Sequence, residues 1–124
     1  MLPFSGGAAT AYRRVDLDAR IEASSGEDLT RICLEEAVAS LGQAVVAIEH
    51  KPDQVPHQPL SRAHSIAIWL ARSVTPENPL SSALTQFYGG VAATIARNMT
   101  RSSLLELASA RNDLRDVLDA ARGS

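Results

Sequence analysis

Apolar residues recur at three- and four-residue spacing through most of the chain beyond residue 25. After Ser24-Ser25, the positions Leu29, Ile32, Cys33, Ala37, Leu41, Ala44, Val45 and Ile48 fall on one side of a helix, because 3.6 residues per turn gather such positions into a stripe. Ser25 with Asp28, or Ser24 with Glu27, forms a capping box at its start. Both acids stand in the first turn, where the helix dipole favours them. His50 and Lys51 suit the other end, and Pro52 stops the helix.

Residues 51–59 carry three prolines and read as a loop. A second helix follows from about Leu60 to Val74, with Pro59 in its first turn and a core face of Leu60, Ala63, Ala67, Leu70, Ala71 and Val74. Asn78 is an N-cap and Pro79 a first helical residue for a third helix, Leu80 to Arg97. Its stripe is Leu80, Leu84, Phe87, Val91 and Ile95. A polar turn from Asn98 to Arg101 leads to a fourth helix, capped by Thr100 or by a Ser103–Glu106 box. Leu104, Leu107, Leu114, Leu118 and Ala121 form its stripe, with Arg115 and Asp119 at i,i+4 on the polar side. Four helices on short links predict an all-α, antiparallel up-down four-helix bundle over residues 23–122. Residues 1–22 form an N-terminal arm or a short capping helix.

Composition agrees with this pattern. The chain has 124 residues, 45% hydrophobic but only 4% aromatic, so the apolar content is aliphatic and rich in alanine. That suits close-packed helices better than a β-sandwich. Twelve Lys+Arg against fourteen Asp+Glu give a formal charge of −2, and no basic stripe extends beyond Arg13-Arg14. A nucleic-acid backbone is therefore not an expected partner. No apolar run approaches the roughly 20 residues of a membrane span, and the start lacks signal-peptide character. The single cysteine, Cys33, has no intramolecular disulfide partner, which fits a reducing cytoplasm.

Candidate chemistry is sparse. No Glu-x-x-His pair offers a di-iron site, and His50, His57 and His64 have no zinc spacing. Cys33 sits mid-stripe as a small core residue, and the adjacent Glu35 and Glu36 point about 100° apart, so they share no site. No enzyme, metal or cofactor is expected. Three features do not suit a self-sufficient bundle. Trp69 lies opposite the second helix's core face, with Ile66 and Ile68 on its flanks, as if a partner covered that side. Phe87-Tyr88 precede Gly89-Gly90 inside a helix, where each glycine costs about 1 kcal/mol against alanine. Either a close helix crossing or a shallow groove for another chain explains the pair. The arm is apolar at Tyr12, Val15, Leu17 and Ile21, and reads as a cover for a groove or as a permanent part of the bundle.

The order of these signals resembles the flagellin-specific export chaperones of the FliS type. It runs from Ala11-Tyr12 and Val15 through Ala23-Ser24-Ser25 with Leu29, then Ala63, Ile66 and Leu70, then Leu84-x-x-Phe87-Tyr88, then a charged last helix. The similarity covers about Ala11 to Ala121 and rests on order and spacing. This chain departs from the family pattern at Gly26, where proline is usual, at Cys33-Leu34-Glu35-Glu36, and at Gly90, where a second tyrosine is usual. The resemblance implies a cytoplasmic bundle that binds the disordered C-terminal segment of flagellin, prevents premature polymerisation and delivers it to the flagellar export gate. The expected partner contacts are Ile66, Trp69, Phe87 and Tyr88, with Tyr12, Val15 and Ile21 as the cover. The alternative is a homo-oligomeric helical adaptor, a homodimer through the face of the second helix, that does not bind flagellin.

Overall fold

The structure is a computed structural model, and it describes residues 26–123. The arm, with Tyr12, Val15 and Ile21, and the serines of the expected first capping box lie outside that range. Four helices follow in order: α1 (Gly26–His50), α2 (His57–Ser73), α3 (Ser81–Asn98) and α4 (Leu104–Gly123). They form an all-α bundle, with no strand among the described residues. The helices alternate in direction, and Arg122 near the end of α4 donates to Glu35 in the first half of α1 at 2.7 Å.

The order across the bundle is α4, α1, α2, α3. α1 packs along both α2 and α4, and α3 packs along α2, but α3 and α4 touch far more thinly than any other neighbouring pair. The core is aliphatic. Leu34, Leu41, Leu60, Leu70, Ile95, Leu107 and Leu114 are its largest fully enclosed apolar side chains. Ala37, Ala44, Ala63 and Ala67 lie between them, also fully buried, and such small residues let ridges of one helix settle into grooves of the next.

Helix α1 buries the predicted stripe except Leu29, which is half-buried, and adds Leu34 and Ser40. Its apolar arc is wider than one stripe because it serves two neighbours. Helix α2 begins at His57, three residues earlier than predicted, since Pro59 fits the first turn. Between α1 and α2, the Arg62 Nε donates to Glu36 Oε1 at 2.8 Å, with both side chains largely covered.

Helix α3 differs most from expectation. Asn78 does not cap the helix: it forms a turn before it, in which its Oδ1 accepts from the Leu80 N–H at 2.8 Å and its carbonyl from the Ser81 N–H at 2.9 Å, and Leu80 takes the N-cap place with no side-chain cap. The helix proper starts after this turn, so Leu80 stays in solvent. The buried stripe is Tyr88, Val91, Ala92 and Ile95, rotated by part of a turn from the predicted one, and Phe87 moves to its half-buried edge. In α4, Leu107, Ala110, Leu114 and Leu118 face the core, while Leu104 and Ala121 are exposed.

The α3–α4 corner is held by polar groups. Asn98 is 1% exposed. Its Nδ2 donates to the Thr94 carbonyl at 2.8 Å and to Glu106 Oε1 at 3.1 Å, and its Oδ1 accepts from the Ser103 N–H. The Asn98 carbonyl accepts from Ser102 Oγ at 2.8 Å, and Ser103 Oγ caps α4 by accepting from the Glu106 N–H at 3.3 Å. One asparagine thus satisfies groups on both sides of the turn. Asn98→Ala removes the side-chain bonds to the Thr94 carbonyl, Glu106 and the Ser103 N–H and leaves a small void in the buried corner, and is expected to destabilise the bundle by about 2 kcal/mol, read as a lower urea midpoint with an unchanged slope.

Candidate functional site

The thin α3–α4 contact leaves a surface groove of about 520 Å³. Phe87, Gly90, Val91 and Thr94 line it from α3, and Leu105, Ser109 and Ala110 from α4. Gln86, Arg97, Glu106 and Asp113 stand around it. A second hollow, of about 550 Å³, lies at the end of the bundle where α1 begins. Leu29, Trp69, Val74, Leu84 and Tyr88 give it apolar walls, and Gly26 sits on its edge. A third, at the α1–α2 connection, is lined by Val46, Ala47, His50, Val55 and Pro56.

These hollows divide the four contact residues expected from the sequence. Trp69 and Tyr88 meet in the end hollow, Phe87 lines the groove, and Ile66 lines none of the three. Trp69 is 36% exposed, as its position opposite the core face requires. Ile66 is only 7% exposed and Tyr88 only 3%, so both belong to the core rather than to an open contact face. The reason is geometric. Helix α2 is sandwiched between α1 and α3, so its wide apolar arc is covered from two sides within the chain and Ile68 is half-buried as well. The rotation of α3 then turns Tyr88 inward. Its ring lies tilted against Phe87 at 5.5 Å between centroids, and burial pushes its phenol above the usual 10.0.

The close-crossing explanation of Gly89-Gly90 does not hold. A Cβ built on either glycine meets nothing within 4 Å. Both face outward, and Gly90 forms part of the groove wall. Leu105, 81% exposed on the opposite wall, carried no signal in the sequence, because it falls beside the predicted α4 stripe rather than on it.

Ionisable groups are spread out. Among the described residues, no group of three His, Cys, Asp or Glu side chains could hold a metal. Cys33 is buried, and desolvation, with a smaller push from the Glu36 carboxylate, raises its thiol to about 11. No helix among the described residues is long and apolar enough to cross a membrane. No family model, curated protein or solved structure matches the chain.

Two measurements follow from this geometry. Gly89→Ala and Gly90→Ala each have room for the added methyl and are expected to raise stability by up to about 1 kcal/mol, seen as a higher melting temperature. With the thiol raised to about 11, about one Cys33 in a thousand is ionised at pH 8, so a thiol reagent should label it only in denaturant. The folded state keeps this proton where the unfolded chain releases it. The Cys33 contribution to stability is therefore whole below pH 9.0 and is lost as pH rises toward about 11.

Proposed function

We propose that the protein is a non-enzymatic, cytoplasmic export chaperone that holds the disordered C-terminal segment of flagellin as a helix in the α3–α4 groove. The observation that carries this reading is the unsealed seam itself. Two helices of one bundle touch only thinly and leave a groove, with the half-buried Phe87 and the exposed Gly90 on one wall, the exposed Leu105 and Ser109 on the other, and the buried Val91 and Ala110 at its floor. The bare Gly89-Gly90 stretch lowers the α3 wall, so a visiting backbone can come close. Flagellin is named as the visitor on the resemblance of the order of sequence signals to that of FliS-type chaperones.

The physical chemistry suits such a client. A disordered segment loses conformational freedom on binding, and burial of its apolar stripe offsets that loss. The groove spans about three helical turns, enough for anchors at i, i+3, i+4 and i+7. Holding the segment keeps flagellin from polymerising and presents it to the export gate. In the absence of flagellin, Tyr12, Val15 and Ile21 serve as the cover. No cofactor, metal, nucleic acid or membrane is needed for this task.

Titration of the chain with a peptide of the flagellin C-terminus tests the reading. Saturable binding is expected, tighter for a chain lacking residues 1–22. Phe87→Ala should weaken it about tenfold, or about 1.4 kcal/mol, without changing the helical circular dichroism. Absence of binding by both the full chain and the shortened one would overturn the proposal.

A further inference from the structure

The hollow at the end of the bundle lies where the described part of the chain begins. Gly26, the first residue of α1, sits on its edge, and Leu29, Trp69, Val74, Leu84 and Tyr88 wall it. Trp69 is 36% exposed, and Leu29, Val74 and Leu84 are half-buried, so the four helices leave much of this apolar wall uncovered. Covering it removes that surface from water. The chain itself arrives at the spot. Ile21 and Leu17 are the large apolar residues nearest to Gly26 on its N-terminal side, four positions apart, and Asp16, Asp18, Arg20 and Glu22 surround them in sequence.

Reach decides between this hollow and the α3–α4 groove as the place for Ile21. The five residues from Ile21 to Gly26 span at most about 18 Å. Gly42 of α1 is level with Arg111 of α4, since a Cβ added to Gly42 would meet the Arg111 Cδ at 3.9 Å. Gly42 lies about 24 Å along α1 from Gly26. Ser109, on the groove wall, lies further along in the same direction. Ile21 therefore does not reach Ser109, whereas the end hollow begins at Gly26 itself.

We infer that Leu17 and Ile21 of this same chain dock in the end hollow against Trp69, and so fix the arm at its root. A segment tethered at the edge of its own site has an effective concentration on the order of millimolar, so it fills the hollow ahead of an outside partner. Tyr12 and Val15, further from Gly26, form the part of the cover with enough chain to extend over the groove. The docking does not depend on what that groove binds.

Cysteine cross-linking in the full chain tests the docking. Mild oxidation of a chain carrying Ile21→Cys and Ser73→Cys is expected to close a disulfide within one molecule, because Ser73 lines the end hollow and the bond needs Cα atoms within about 7 Å. A chain carrying Ile21→Cys and Ser109→Cys should close about tenfold more slowly, since Ser109 lines the groove instead. Cys33 is buried and stays out of both reactions. Trp69 is the single tryptophan, so its emission is a second readout. Ile21→Asp is expected to shift that emission to the red and to open Trp69 to acrylamide quenching, with the helical circular dichroism unchanged. Equal closure of the two cysteine pairs, disulfides formed between molecules instead of within one, or Trp69 emission unmoved by Ile21→Asp would overturn the inference. The cross-link decides the matter even where Ile21→Asp fails to fold. Flagellin-peptide titration is read separately, so the client reading and this one stand or fall apart.

Discussion

The bundle depends on the double-sided burial of α1. Its apolar arc runs from Ile32 to Ile48, and it is wide enough to meet α2 on one side and α4 on the other. Alanines on α1 and α2 keep the axes close, and leucines fill the space left between them. With few aromatic residues to span distance, this core works only while the helices stay near one another. One central helix in close contact with two others leaves the outermost pair, α3 and α4, without a helix between them to complete the ring. The open groove follows from that packing.

The seam is joined at one end and open along its length. At the corner, Asn98 binds both helices through its side chain, so polar groups replace the missing apolar contact where the backbone turns. Beyond the corner nothing comparable closes the gap, and the α3 wall falls away at two glycines. This combination fixes the direction of the groove while leaving its middle unfilled. An apolar segment laid in it would bury the exposed Leu105 and the half-buried Phe87 without moving the core.

The fold was legible in the sequence because aliphatic periodicity, proline positions and caps agree with one another. The α1 stripe, the loop at Pro52 and Pro56, the Asn78 turn and the Ser103 cap are all found where local chemistry places them. The site was legible only in part. The pattern marked Phe87 and the double glycine, but it turned α3 about its axis by part of a turn, which exchanged the roles of Phe87 and Tyr88. That error has a local cause: Leu80 looked like the first core residue, whereas the Asn78 turn holds it outside the helix. Ile66 was misplaced because an all-round apolar helix signals two covered sides, and one sequence does not say that both covers belong to the same chain. Leu105 was missed because exposure of an apolar residue is a property of the assembled surface, not of its spacing.

The pairing of α1 with α4 has a consequence for how the chain is made. Contacts of α1 with α2, and of α2 with α3, join neighbours in sequence, but Arg122 reaches back across 87 positions to Glu35. A nascent chain can therefore zip α1, α2 and α3 together as successive hairpins while one flank of α1 stays bare. That flank is sealed only when residues 104–123 have left the ribosome. Of the four described helices, the last to be made thus closes over the first.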